Sequence, residues 1–214
     1  MIEVEIRGSI VALVTPFMNG KVDEKKLRDL VEFHVKNGTS GIVPCGTTGE
    51  SATLSHEEHR LAIELTVRAA NKRVPVIAGT GSNSTDEAVE LTRFAKNAGA
   101  DAALLVAPYY NRPTQKGLYL HFKKVSESVD IPIIVYNIQS RTAVNIEPET
   151  MAKLAELRNI IGVKEASGNL EQISRIAMLC GKKFIILSGD DALTLPVMSV
   201  GGKGVISVVA NIVP

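Results

Sequence analysis

The sequence predicts an α/β protein built as a (β/α)8 TIM barrel, and three observations carry that prediction. Eight short runs rich in β-branched residues alternate with longer helical patterns from one end of the 214-residue chain to the other. Nearly every residue of those runs is apolar, as in parallel strands buried on both faces. Residues with chemical potential cluster after the second, fourth, fifth, sixth and seventh runs. A doubly wound sheet would gather its site at one switch point, whereas a barrel draws on many strand ends.

The predicted strands, in order, are Gly8 to Val14, Gly41 to Pro44, Val74 to Ala78, Ala102 to Ala107, Ile131 to Tyr136, Ile160 to Lys164, Phe184 to Ser188 and Gly204 to Ser207. Between the first two, Asp23 caps a helix that places Leu27, Leu30, Val31 and Val35 on one face and ends at Gly38. Ser55 with Glu58, and Ser84 with Glu87, read as capping boxes, the second opening a helix with Val89, Leu91 and Ala95. Pro148 occupies a first-turn position ahead of Met151, Leu154 and Leu157. No linker interrupts the series, so residues 1–214 read as one barrel domain. The sequence closes on Asn211-Ile212-Val213-Pro214, directly after the eighth strand and before an eighth helix, which reads as a C-terminally truncated barrel.

Composition narrows the function. With 45% hydrophobic and 22% charged residues and a net charge of +1, the chain has the balance of a soluble domain and no charged tail for nucleic acid or membrane. Cys45 and Cys180 have no CxxC spacing, and the N-terminus lacks a signal peptide, so a reducing cytoplasm is expected.

Lys164 closes the apolar strand Ile160-Ile161-Gly162-Val163, which places its amine at the C-terminal mouth of the barrel. Desolvation there disfavours the ammonium and leaves an amine able to attack a ketone. The alternative is a lysine that reaches solvent or pairs with Glu165. Tyr136 ends the fifth strand, and Tyr109-Tyr110 follow the fourth; a tyrosine beside an amine nucleophile can shuttle protons, or simply cap the core. Gly46-Thr47-Thr48-Gly49-Glu50 offers backbone N–H groups and two hydroxyls, a nest for a carboxylate, and is no P-loop. Arg141 can hold a second carboxylate through its planar fork or be a solvated arginine. His56 and His59 share a helix face, yet zinc helices more often space their pair i, i+4 and no third ligand is evident, so no metal is expected.

Together these segments resemble the dihydrodipicolinate synthase and N-acetylneuraminate lyase family of class I aldolases. The motifs are GTTGES at Gly46 to Ser51, PYYNRP at Pro108 to Pro113, YNxxSRT at Tyr136 to Thr142, KEASGN at Lys164 to Asn169 and SGDD at Ser188 to Asp191. The resemblance implies a barrel followed by a C-terminal helical domain, assembled as a dimer or tetramer. It makes Lys164 the Schiff-base lysine for pyruvate, with no other cofactor. Tyr136, Thr47 and Tyr110 become a hydroxyl relay, Tyr110 coming from a neighbouring subunit. Thr48 and the main chain near Ile206 join Thr47 around pyruvate, and Arg141 takes the carboxylate of the incoming aldehyde. Within the family, Arg141 and the tyrosine pair point to condensation of pyruvate with aspartate semialdehyde, opening lysine and diaminopimelate biosynthesis. A sugar-acid aldolase such as an N-acetylneuraminate or 2-keto-3-deoxy-sugar-acid enzyme, or an inactive engineered barrel fragment, are the alternatives. Ser51, Ala52, His56, His59, Gly81, Asn83, Glu87 and Tyr109 match the site at which lysine-sensitive members bind L-lysine. Gln139 departs from the family's usual proline, which predicts a less rigid loop around Arg141.

Overall fold

The structure, a computed structural model, describes residues 6–214. Eight parallel strands form one sheet: β1 (Gly8–Ala12), β2 (Gly41–Val43), β3 (Ile77–Gly79), β4 (Ala102–Val106), β5 (Ile133–Asn137), β6 (Ile160–Glu165), β7 (Ile185–Ser188) and β8 (Gly204–Ser207). Their order around the sheet is β2-β1-β8-β7-β6-β5-β4-β3, and β1 pairs with β8 through Ile10 and Ile206. The ring closes between β2 and β3 on a single bridge, Ile42 to Val76, flanked by bonds from Ile42 N to Pro75 O (3.0 Å) and Gly79 N to Pro44 O (2.9 Å).

Helices cover the outside: α1 (Glu24–Lys36), α2 (His56–Ala70), α3 (Thr85–Ala98), α4 (Gln115–Ser128), the short α5 (Gln139–Thr142), α6 (Pro148–Ala155), α7 (Leu170–Cys180) and α8 (Thr194–Ser199). Asp23 caps α1 by accepting from Lys26 N at 2.9 Å. Ser55 and Glu58 form the predicted reciprocal box on α2. The box predicted at Ser84 is only half made. Ser84 accepts from Glu87 N at 3.5 Å, but the Glu87 carboxylate is engaged by Ser82 and by His56 instead.

Several strand limits differ from the sequence reading for identifiable reasons. The third strand begins at Ile77 rather than Val74 and the fifth at Ile133 rather than Ile131; Pro75 and Pro132 have no N–H to place in a ladder. Val14 lies beyond β1, where its N–H donates to Asn211 Oδ1 at 3.2 Å. A small hairpin pairing Phe17–Met18 with Lys21–Val22 goes unpredicted, although its Asn19-Gly20 turn, both residues at positive φ, is a strong hairpin signal.

Strand alternation divides the core into two layers. Ile10, Ala12, Val43, Ile77, Leu104, Ile134, Tyr136, Leu187 and Ile206 fill the barrel interior. Val135 and Val163 face outward with Phe122, Leu118, Met151 and Ile173 between sheet and helices. Tyr136 therefore points inward, and Lys164, next to outward-facing Val163, shares that side. Their successors Asn137 and Glu165 turn to the helix side.

Candidate active site

The site sits at the C-terminal ends of the strands. In the β5–β6 ladder Tyr136 lies opposite Lys164 and Asn137 opposite Glu165. The two inward side chains are almost fully enclosed, Lys164 at 5% exposure and Tyr136 at 4%. The Lys164 amine faces the tyrosine ring, its Nζ 4.3 Å from the ring centroid. Lys164 does not reach solvent and does not pair with Glu165, whose carboxylate is bound on the opposite side of the sheet.

Burial pushes the Lys164 amine down to about 8; the negative charge of Asp191 works against that shift, and the positive charge of Arg141 adds to it. About a tenth of the amine is thus uncharged at pH 7, far more than for an ordinary lysine. The Tyr136 hydroxyl is moved the other way, its pKa raised chiefly by burial and partly offset by a hydrogen bond with Thr47 and the charge of Arg141. It stays a protonated phenol, suited to give and take a proton.

Thr47 stands on the loop after β2, at the barrel mouth, where its hydroxyl acts to lower the Tyr136 pKa. That loop is fixed from below: Thr15 Oγ1 donates to Gly49 O at 2.7 Å, and the Cys45 thiol reaches His59 O at 3.5 Å. Cys45 takes up positive φ (53°) to start the loop. Thr48 is half-buried beside it. Ile206 is buried in the interior on β8, two strands from β2. Arg141 is exposed on α5, and its charge acts on both Tyr136 and Lys164.

Tyr110 is not brought to Lys164 within the chain; it is 91% exposed on a loop held at positive φ (72°). Tyr109 is half-buried next to it.

Three site residues escaped the sequence reading. Gly189 clears space for the nucleophile, since a Cβ there would lie 3.0 Å from Lys164 Cε and 2.7 Å from Ala166 Cβ. Asp191 accepts from the main-chain N–H of Val208 (3.0 Å) and Val209 (3.2 Å), holding the chain that leaves β8. Glu165 is a buried carboxylate with burial raising its pKa and hydrogen bonds from Ser167, Asn137 and Gln172 lowering it. The SGDD motif was the available signal for the first two; for Glu165 the signal was its outward strand position.

Of the eight residues matched to a lysine site, His56 and Glu87 meet at 3.3 Å and line a groove of about 670 Å³ with Ser84, Asp86, Glu90 and Arg93. Asn83 O accepts from Asn111 Nδ2 at 3.0 Å, which ties this region to the Tyr109–Tyr110 loop. Ser51, Gly81 and Tyr109 are half-buried and Ala52 is exposed. His59 turns away from its helix neighbour: it is buried, with Nε2 2.7 Å from Gly79 O. The two histidines thus face different partners.

Comparison with known proteins matches residues 5–214 to the dihydrodipicolinate synthetase family. The chain belongs to that family. A 4-hydroxy-tetrahydrodipicolinate synthase of Syntrophus aciditrophicus (strain SB) is 65% identical over 208 residues, 97% of this chain and 72% of that protein. The crystal structure of dihydrodipicolinate synthase from Aquifex aeolicus superposes with a TM-score of 0.96 at 58% identity, covering 98% of this chain and 72% of that one. The enzyme from Cyanidioschyzon merolae, solved with lysine bound, superposes with a TM-score of 0.93 at 46% identity, covering 96% and 70%. The family fold is the barrel described here. Among the described residues, no helix is long and apolar enough to cross a membrane.

Proposed function

We propose that this chain is a lyase that condenses pyruvate with L-aspartate-4-semialdehyde to give 4-hydroxy-tetrahydrodipicolinate, the first committed step towards lysine and diaminopimelate. The observation that carries the reading is Lys164: a buried amine held at about 8, its Nζ 4.3 Å from the ring centroid of a buried tyrosine. The name shared by the relatives at about 60% identity supports the same substrates.

The uncharged Lys164 amine attacks C2 of pyruvate, and the carbinolamine loses water to give an imine, with Tyr136 and Thr47 passing the protons. Thr47, Thr48 and the main chain near Ile206 hold the pyruvate carboxylate. Loss of a proton from the methyl group makes an enamine, whose carbon attacks the aldehyde while Arg141 grips that substrate's carboxylate. The amino group of the same substrate then attacks the imine carbon, closing the ring and freeing Lys164. No other cofactor is needed. Tyr110, exposed here, completes the relay in a second copy of the chain, so the working form is a homo-oligomer in the cytoplasm. L-lysine inhibits by binding around His56 and Glu87, where its ammonium finds a carboxylate; the lysine-bound relative supports this. A sugar-acid aldolase would use the same lysine, but the relatives reported above are named for the condensing reaction.

Borohydride treatment with pyruvate tests the reading directly. One stable adduct on Lys164, absent in Lys164→Ala, is the expected mass-spectrometric result. An adduct that survives that substitution would refute the assignment.

A further inference from the structure

Directly behind the reacting pair lies a buried hydrogen-bonded cluster that the chemistry above does not use. Glu165 is 1% exposed and Asn137 0%. Asn137 Nδ2 donates to both oxygens of Glu165, at 3.2 and 3.1 Å, and to Asn145 Oδ1 at 2.9 Å. Ser167 N donates to Glu165 Oε1 at 2.8 Å and Gln172 Nε2 to Oε2 at 3.4 Å. Asn145 and Gln172 exchange a pair of amide bonds at 2.8 and 3.1 Å, and Asn137 Oδ1 accepts from Ile146 N at 3.0 Å.

The cluster has a direction. The loop of residues 138–146 leaves β5 at Asn137 and returns at Asn145 and Ile146, and both ends are bonded to Asn137. Asn137 and Gln172 are in turn aimed by one carboxylate. Arg141 stands between those two ends. Every group that reaches Glu165 is a donor, so the position calls for an acceptor with two oxygens, which a carboxylate supplies. Burying a carboxylate charge is costly, and the N–H donors of Asn137, Ser167 and Gln172 offset part of that cost.

We propose that Glu165 is a positioning residue for the second substrate: its carboxylate clasps both ends of the 138–146 loop and so presents Arg141 to a carboxylate-bearing aldehyde, leaving imine formation at Lys164 largely independent. The inference rests on the functional reading above. Lys164 takes its accessibility from Gly189 and most of its lowered pKa from burial, offset by Asp191; neither Gly189 nor Asp191 is bonded to the Glu165 side chain, and the charge of Arg141 is the smallest of the three causes.

The test is Glu165→Gln, which keeps the shape but points an amide donor at other donors, together with the milder Asn145→Ala. The KM for aspartate semialdehyde is expected to rise about tenfold or more in Glu165→Gln, as for a lost bond to a charged group, while the KM for pyruvate and the borohydride-trapping rate stay within about twofold. Hydrogen exchange should quicken in residues 138–146 and remain unchanged in β1 and β2. Adding Asn137→Asp to Glu165→Gln restores an acceptor opposite the new amide and should recover part of the aldehyde KM. Equal losses in pyruvate trapping and aldehyde use, or an unchanged aldehyde KM in both single variants, would overturn the proposal. Should the unaltered protein form no pyruvate adduct, the functional reading fails, and exchange in residues 138–146 still decides whether the clasp exists. Should Glu165→Gln not fold, Asn145→Ala decides it alone.

Discussion

Asp191 lends its negative charge to Lys164 while its carboxylate oxygen holds the main chain that leaves β8. Burial lowers the pKa of the amine, and Asp191 limits how far it falls. The balance leaves both protonation states accessible around neutral pH, which a nucleophile that must also pass protons requires.

Asp191→Asn keeps an oxygen for Val208 and Val209 but removes the charge. The rate of imine trapping with pyruvate should rise with pH around a midpoint near 8 in the unaltered protein, because the uncharged amine is the reacting form. In Asp191→Asn the midpoint should move to lower pH, since an anion that favours the ammonium is gone; in Arg141→Ala it should move up. Trapping rates measured across the pH range check both signs, and a midpoint unmoved in both variants would contradict them.

Gly79→Ala should destabilise the barrel strongly. An added Cβ would sit 2.1 Å from Cys45 O and 2.6 Å from Cys45 C, both backbone atoms that cannot swing aside. The loss is expected to be about 3 kcal/mol or more, at the upper end for overpacking. Urea midpoints at constant m-value measure it. A change below about 1 kcal/mol would show that the strand end shifts freely.

Acid sensitivity should trace in part to His121. Its ring is buried where α3 meets α4, with Nδ1 2.9 Å from Thr85 Oγ1 and Nε2 unpartnered, and burial pushes its pKa down to about 4. Below about 6.5 the unfolded chain takes up a proton that the folded chain refuses, so stability falls as pH drops from there towards 4, by up to about 3 kcal/mol for this residue. His34 and His59, also lowered by burial, add to the slope. Denaturant titrations at pH 7 and pH 5 should show a smaller difference in His121→Gln than in the unaltered protein. An identical difference in both would assign the effect elsewhere.

The barrel was legible because each parallel strand is a short apolar run, and Lys164 was legible because it is the polar residue that ends one. Strand ends at Pro75 and Pro132 were misread because hydrophobicity continues there while the donor for the ladder does not. Ser84 and Glu87 carried a valid capping pattern, but Ser82 and His56 compete for the same carboxylate, and a spacing rule does not register a rival from another element. Asn137, Asn145, Glu165 and Gln172 each look like ordinary polar residues at the edge of an element. Only strand pairing, which sets Asn137 opposite Glu165 on the helix side, turns them into one cluster. Tyr110 belongs to a motif legible in the sequence, but its exposure on the loop after β4 was not.

The seam between β2 and β3 rests on one bridge, and directly above it rises the loop that carries Thr47. The other seven joints of the ring are ladders of two or more paired residues, which makes this the thinnest. Thr47 follows the strand at that thin joint, whereas Tyr136 stands on β5 within a continuous ladder. The two members of the proposed relay thus stand in parts of the barrel that are unequally paired. If the thin joint opens first on warming, Thr47 parts from Tyr136 while Lys164, held between β5 and β7, keeps its place.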